Sequence, residues 1–124
     1  MHLSETRFEQ LVAEAIDALP EAFASRLHNV EVVVEGWPSR AQLRHAGVPH
    51  NSTLLGLYEG VPLTERTSGY GLVLPDKVTI FSGPIEQMCA SEDELRAQIA
   101  HTIIHEFAHF FGISDDQLRR MGAY

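Results

Sequence analysis

A long helical pattern between Ser91 and Gly112 constrains the fold of this chain more than any other feature. Ser91 and Glu94 have the spacing of a capping box, and the acidic residues of the first turn suit the positive end of a helix dipole. Gly112 stands where a helix that ends at Phe111 needs a left-handed residue. The pattern therefore predicts one main helix over residues 91–111, around which the rest of the chain must pack.

One face of this predicted helix is apolar, and the neighbouring face carries histidines. Apolar residues recur at intervals of three and four positions, which is the spacing of a buried helical stripe. We expect this stripe to anchor the helix in the core; its members are Leu95, Ile99, Ile103, Phe107 and Phe110.

His105 and His109 are well placed to bind a metal ion. Residues four apart on a helix lie one turn above the other on the same face, so their imidazoles can converge on one ion. Glu106 lies beside the pair, where a carboxylate can hold a water molecule and take its proton. This is the H-E-x-x-H arrangement of zinc metallopeptidases, and it indicates a catalytic metal site.

The residues after the motif strengthen this interpretation. Asp115 follows Gly112 after one turn of loop and adds a carboxylate to the two imidazoles. Two histidines, one carboxylate and an open position are the pattern of a catalytic zinc, whereas a structural zinc has four protein ligands. An acidic residue directly after Ser114 is also favoured by the dipole of a following helix, and Asp116 stays an alternative third ligand.

His101 lies one turn before the motif and is the other histidine of this face. It is eight residues from His109, which is about 12 Å along a helix axis. Both side chains cannot reach one ion through bonds of about 2.1 Å. We therefore expect His101 to be a polar neighbour of the site and not a ligand.

Shorter elements fill the rest of the chain. Apolar residues spaced by three and four positions predict a first helix from Ser4 to Leu19. Pro20 ends this helix or turns the chain into a short second helix. Trp37 is expected in the core. Strands are expected at residues 30–35, 53–59 and 77–82, the second of them at a sheet edge, and short helices at 21–27, 39–46, 85–90 and 115–121.

Charge and composition exclude several classes of function. The net charge is −8 with neutral histidines and no basic run occurs, so the electrostatic footprint of a nucleic-acid-binding protein is missing. The single cysteine, Cys89, has no partner for a disulfide. No apolar run approaches membrane-spanning length, and the first seven residues are too polar for a signal peptide. We expect one cytoplasmic domain, residues 1–124, with no nucleic-acid or membrane partner.

Three segments together resemble the bacterial family of very small zincin-like metallopeptidases, the minimal metalloproteases. These segments are residues 56–63, 74–85 and 105–116, and the resemblance extends over residues 30–121. The motif of that family is H-E-x-x-H-x-x-G-x-x-D. It falls here on His105, Glu106, His109, Gly112 and Asp115.

The resemblance implies a fold, a cofactor and a set of roles. The fold is α+β with a zincin-like minimal core, in which a small mixed or antiparallel sheet of about three to four strands packs against helices, the motif helix being central. One Zn²⁺ per chain is held by His105, His109 and Asp115, with Glu106 as general base. Phe110 departs from the family, where a second His is expected in many members. That position lies about 140° round the helix from His105, so the change leaves the site intact.

These features predict a zinc-dependent metallopeptidase-like hydrolase that acts on a peptide or protein substrate. Its weak point is the oxyanion, because only residues 116–124 follow Asp115 and any stabilising group must come from upstream, from a partner chain, or be absent. Arg66 and Tyr70 are loop candidates for that role. The alternative is a non-catalytic or very weakly active metal-binding or partner-binding domain on a zincin scaffold.

Overall fold

The structure is a computed structural model that describes residues 1–49, 52–60 and 75–123. Within these ranges, six α-helices and three strands follow one another along the chain. The helices are α1 (Glu5–Asp17), α2 (Glu21–Ala24), α3 (Arg40–His45), α4 (Ser82–Met88), α5 (Glu92–Phe111) and α6 (Asp115–Arg120), with a 3-10 turn at Ser25–Leu27. The strands are β1 (Val30–Glu35), β2 (Gly56–Glu59) and β3 (Asp76–Phe81).

The three strands form one mixed sheet in the order β1-β3-β2. β1 runs parallel to β3, with Val30 opposite Asp76. β2 runs antiparallel to β3, with Gly56 opposite Ile80, and lies at the edge of the sheet that the described strands form. The Tyr58 hydroxyl fixes β2 further, because it donates a buried hydrogen bond of 2.6 Å to Asp76 Oδ2. The predicted edge position of the second strand and the predicted α+β class are confirmed.

The core lies between the sheet, α1 and α5. Four apolar residues of α1 are buried against α5, at the spacing that the sequence predicts. From α5 the core receives Leu95, Ile99, Ile103 and Phe107, which are almost completely buried. The motif helix is therefore the central element of the fold, as predicted, and its apolar face determines how it lies on the sheet.

Ion pairs on the surface connect α1 to the start of α5. The Arg7 guanidinium binds the Glu92 carboxylate through two hydrogen bonds of 2.6 and 3.0 Å. Arg96 in turn binds Glu14 at 2.9 Å. The pairing with Arg7 lowers the pKa of Glu92, since the bound guanidinium favours the charged carboxylate. Because these side chains are solvated, we regard them as fixing the orientation of two helices more than their stability.

The caps that the sequence predicts at the helix ends are formed, with one exception. The Ser114 and Gln117 capping box of α6 is complete, and Gly112 ends α5 at φ 68° and ψ 29°. At the start of α5, Ser91 accepts the Glu94 N–H as predicted. The Glu94 carboxylate accepts the Ala90 N–H at 2.7 Å, so only one half of the predicted box is formed.

Two element boundaries differ from the prediction for one reason. The chain bends into α4 at Ser82, three residues before the predicted helix, because Pro84 in its first turn needs no N–H partner there. β3 therefore ends at Phe81, whose N–H bonds to Leu55 C=O at 2.9 Å. No residue of β3 remains to pair with residues 53–54, so β2 begins at Gly56.

Two aromatic residues that the sequence places in the core are exposed. Trp37 is 54% exposed, because β1 has ended and its indole lies over the Gly83 backbone at the end of the sheet. Phe110 is 50% exposed. The last turn of α5 extends beyond the core there, and the Phe110 ring packs on Tyr58 of β2, with 4.4 Å between the ring centroids.

Within the described ranges, no helix is both long and apolar enough to cross a membrane. Cys89 is buried. The single-domain extent of residues 1–124 stays a prediction. The predicted loop after Gly60, with Arg66 and Tyr70, lies outside the described residues.

The close approach of α5 to β2 makes Gly56 a sensitive position. A Cβ atom at Gly56 would lie 2.6 Å from Thr102 Cγ2 and 3.1 Å from Thr79 O. We expect Gly56→Ala to lower the free energy of unfolding by about 1–3 kcal/mol, measured by denaturant titration. Gly36→Ala is the matched control, because no atom lies within 4 Å of its Cβ position.

A second substitution tests whether contact with the Thr102 methyl group causes this loss of stability. Thr102→Ser removes the Cγ2 methyl group and keeps the hydroxyl that donates to Gln98 O at 2.8 Å. Combined with Gly56→Ala, it should recover part of the lost stability. Equal losses with and without the Thr102 methyl would contradict the proposed contact.

Candidate metal centre

Three histidines follow one another along one face of α5. His105 and His109 lie one turn apart, with 6.4 Å between their ring centroids and the rings almost perpendicular. On the other side of His105, the His101 ring lies 4.0 Å away, tilted by 31°. The structure thus gives His105 a histidine neighbour on each side, with His101 nearer to it than His109.

Asp115 is brought back towards this face by the turn after α5. Gly112 adopts the left-handed conformation, and the Ile113 N–H bonds to Ala108 O at 2.9 Å. The chain then enters α6, with Ser114 as N-cap and Asp115 as its first residue. The Asp115 carboxylate lies near enough to His105 to favour the protonated imidazole and so acts to raise its pKa.

Asp116, the alternative third ligand, is oriented differently. Its Oδ1 accepts a hydrogen bond of 3.1 Å from Arg119 Nη1, one turn further along α6. A carboxylate already paired with a guanidinium is a poorer metal donor than one beside an imidazole. The local contacts therefore favour Asp115 over Asp116.

The predicted ligands are of the chemical types that zinc binds, but their side chains do not lie close together around one point. In residues 1–49, 52–60 and 75–123 no three His, Cys, Asp or Glu side chains lie close enough together to hold an ion. Two imidazoles on one tetrahedral zinc have centroids about 5 Å apart, somewhat less than the pair observed here. A change of rotamer at the exposed His109 can bring the two rings to that distance.

The surroundings of His105 favour its neutral form. Burial lowers the pKa of His105, and the neighbouring His101 and His109 lower it further, against the opposing effect of Asp115. A neutral imidazole has the free lone pair that a metal requires. His105 is thus in the protonation state of a ligand at neutral pH.

Glu106 lies between α5 and the edge strand. A row of residues spaced by four on the helix faces β2: Thr102 and Glu106 approach Gly56, and Phe110 approaches Gly60. The Glu106 Cγ atom is 3.4 Å from the Cβ position of Gly56. The Tyr58 backbone N–H lies near enough to the Glu106 carboxylate to favour its charged form.

Burial raises the pKa of Glu106, while His109 and the Tyr58 N–H act in the opposite direction. Desolvation of this kind makes a carboxylate hold a proton more readily than it would in water. A general base that must first take a proton and then give it up benefits from such a shift. The location of Glu106 therefore suits acid–base chemistry.

The sequence did not predict the Tyr58 contact, although a signal was present. Gly56 begins the four-residue strand and Gly60 follows it, and each leaves room for a side chain of α5. Glycine in or beside a strand often marks the close approach of another element. Arg66 and Tyr70, the candidates for stabilising the oxyanion, lie outside the described residues.

Comparisons with known structures agree with this fold. A conserved hypothetical protein from Thermus thermophilus has a TM-score of 0.54 and 22% sequence identity to this chain. The alignment covers 88% of this chain and 94% of that chain. At this identity the likeness shows a shared fold alone.

The comparison of sequences is more informative. No curated protein matches this chain. The sequence model of a family described as zincin-like metallopeptidase matches residues 27–123, which include both strand pairs and the complete motif. Since this match covers more than three quarters of the chain, the chain belongs to the zincin-like metallopeptidase family.

Proposed function

We propose that this protein is a zinc-dependent peptidase in which His105, His109 and Asp115 hold the metal and Glu106 is the general base. The observation that carries the proposal is the location of Glu106. Its carboxylate lies beside the predicted ligand pair and near the backbone N–H of the edge strand at Tyr58. One carboxylate therefore adjoins both the metal face of α5 and the strand along which a peptide can lie.

The backbone of β2 suggests how a substrate is held. Phe81 N–H bonds to Leu55 C=O, so Leu55 and Leu57 direct their backbone groups towards β3. Gly56 and Tyr58 then direct theirs to the side of the strand that faces away from β3. A peptide in extended form adds to such an edge through main-chain hydrogen bonds. At Tyr58 it would run directly beside the Glu106 carboxylate.

The chemistry is divided between the metal and Glu106. When bound, zinc supplies Lewis-acid activation of water and of the scissile carbonyl. Glu106 takes a proton from the attacking water and delivers it to the nitrogen of the leaving amine. The burial that raises the pKa of Glu106 stabilises the intermediate protonated carboxyl group. The nearby Tyr58 N–H favours the charged form of the carboxylate, to which Glu106 returns after the second transfer.

One observation favours a second candidate, a weakly active or non-catalytic metal-binding domain. In the described part of the chain, the metal donors are not gathered into a three-ligand group. A protein that gathers them only when zinc is present would bind the metal less tightly than a preorganised site. Separate tests of the ligands and of the base distinguish the two candidates.

Metal binding is tested by zinc content. Protein purified without added metal should hold close to one zinc per chain, and His105→Ala or His109→Ala should abolish binding, because two ligands hold the ion poorly. His101→Ala is the matched control and should keep the zinc. Mass spectrometry or atomic absorption gives the occupancy.

The third ligand is tested separately. Asp115→Ala should weaken zinc binding more than Asp116→Ala, since Asp116 is paired with Arg119. The reverse order would move the ligand to Asp116. Full occupancy in either His105→Ala or His109→Ala would overturn the assignment of the metal centre.

Catalysis is tested at Glu106. Glu106→Gln keeps the size and the hydrogen-bond acceptor of the side chain but cannot take a proton at neutral pH. We expect it to retain zinc and to lose about 10²–10⁴-fold in rate on an unstructured protein substrate. Activity that survives with zinc retained would exclude Glu106 as the base. Zinc binding without activity in the unaltered protein would favour the binding domain.

Chelation tests how the fold depends on the metal. Zinc that binds the folded state alone stabilises it by mass action, so a chelator should lower the melting temperature. The protein should still unfold cooperatively, because the apolar stripe of α5 stays buried without the metal. An unchanged melting curve after confirmed metal loss would contradict binding to the folded core. Unfolding at room temperature would indicate a structural metal.

A further inference from the structure

A second cleft lies where the two parallel strands end. β1 and β3 both finish at this end of the sheet. The residue after β1 is joined to the first turn of α4 by a hydrogen bond of 2.8 Å from Gly83 N to Gly36 O. The cleft has a volume of about 600 Å³ and is bordered by Phe8, Val34, Gly36, Trp37, Gly83 and Glu86, together with the N-terminal residues. None of its lining residues belongs to β2 or α5. It is therefore separate from the candidate metal centre.

Trp37 forms an aromatic wall of this cleft. Among the exposed apolar residues that the structure describes, tryptophan has the largest side chain. The residue beneath the indole is Gly83, whose lack of a Cβ atom leaves room for the ring. A Cβ atom at Gly83 would overlap the indole ring at Cε2 and Nε1. The indole is thus held against backbone on one side, while much of its surface stays open to solvent.

Glu86 supplies a buried carboxylate in the same cleft. Its side chain is only 9% exposed, whereas an ionised carboxylate has acceptor sites for about four hydrogen bonds. Within the described ranges, the ion-pair contact of this carboxylate is with His2 Nδ1 at 3.2 Å, and the His2 side chain is 95% exposed. Neither of its oxygens is both buried and without a hydrogen-bond partner, so the head of the carboxylate is open to the cleft. The remaining acceptor capacity favours a stronger cationic partner.

The N-terminal residues show that basic groups fit this wall. The His2 ring approaches the Glu86 carboxylate, and the Met1 ammonium donates to Glu86 O at 3.1 Å. Among the described residues that line the cleft, none is lysine or arginine, while Glu5 and Glu35 add further negative charge. The cleft is acidic with one aromatic wall, and in the described part of the chain the side chain that pairs with its most buried carboxylate is the exposed His2.

We propose that the Trp37–Glu86 cleft binds a guanidinium group, presented by an arginine side chain of another polypeptide. A guanidinium stacks on an indole and donates two parallel hydrogen bonds to a carboxylate, which a compact ammonium cannot do. The side chain would displace His2 from Glu86 and lie along Trp37. This site is independent of the proposed peptidase activity, since it shares no residue with the metal centre.

The chain offers its own reporter for this site, because Trp37 is its single tryptophan. The probe is N-acetyl-L-arginine amide, whose only charge is the guanidinium, titrated against the intact protein while Trp37 fluorescence is recorded. N-acetyl-L-citrulline amide has nearly the same shape without the charge. We expect a saturable change with the arginine probe and at least tenfold weaker binding of the citrulline probe.

Variants locate the binding. Glu86→Gln should weaken binding of the arginine probe at least tenfold, whereas Glu31→Gln, an exposed acid of β1, should leave it unchanged. Gly83→Ala should displace the indole and weaken binding while the Glu86 carboxylate stays in place. His2→Ala should bind the probe at least as tightly as the unaltered protein.

Several outcomes would overturn the proposal. The first is the absence of a saturable fluorescence change, and the second is equal affinity for the arginine and citrulline probes. Both are measured on the unaltered protein, so neither depends on whether a variant folds. Equal losses in Glu86→Gln and Glu31→Gln would likewise reduce the effect to general negative charge.

Discussion

Burial of one face of α5 is the constraint on which the rest of this structure depends. The buried face consists of Leu95, Ile99, Ile103 and Phe107. Because this face packs in the core, the helical period determines the direction of every other side chain on α5. The histidines must lie beside the core, and the row that contains Glu106 must face β2. The candidate site is thus set by packing before any metal binds.

The sequence was informative where a pattern has one structural solution. The left-handed end of α5 at Gly112 and the capping box of α6 were predictable, because glycine and serine at those spacings satisfy groups that a helix end leaves unpaired. The placement of His105 and His109 on one face of α5 was also predictable, since residues four apart on a helix lie one turn above the other; their role as metal ligands stays a prediction. The position of Asp115 followed from the turn between the two helices.

Predictions failed where a residue lies beyond the end of the sheet or of the core. Trp37 and Phe110 are apolar residues whose spacing suits a core, but the sheet ends before the first and the core ends before the second. Local sequence carries no information about how far neighbouring elements extend. The same limit applies to β2, whose length depends on where β3 turns into α4. The contact between Tyr58 and Glu106 also required the tertiary structure.

The closeness of the Tyr58 N–H to the Glu106 carboxylate has a consequence for the edge of the sheet. An edge strand with an unsatisfied outward N–H is a template for pairing with another chain and for aggregation. A carboxylate at position 106 brings a charged group to that edge whether or not any chemistry takes place, and charged side chains limit uncontrolled pairing of edge strands. Glu106 therefore has an electrostatic role at the sheet edge that is separate from any role in hydrolysis.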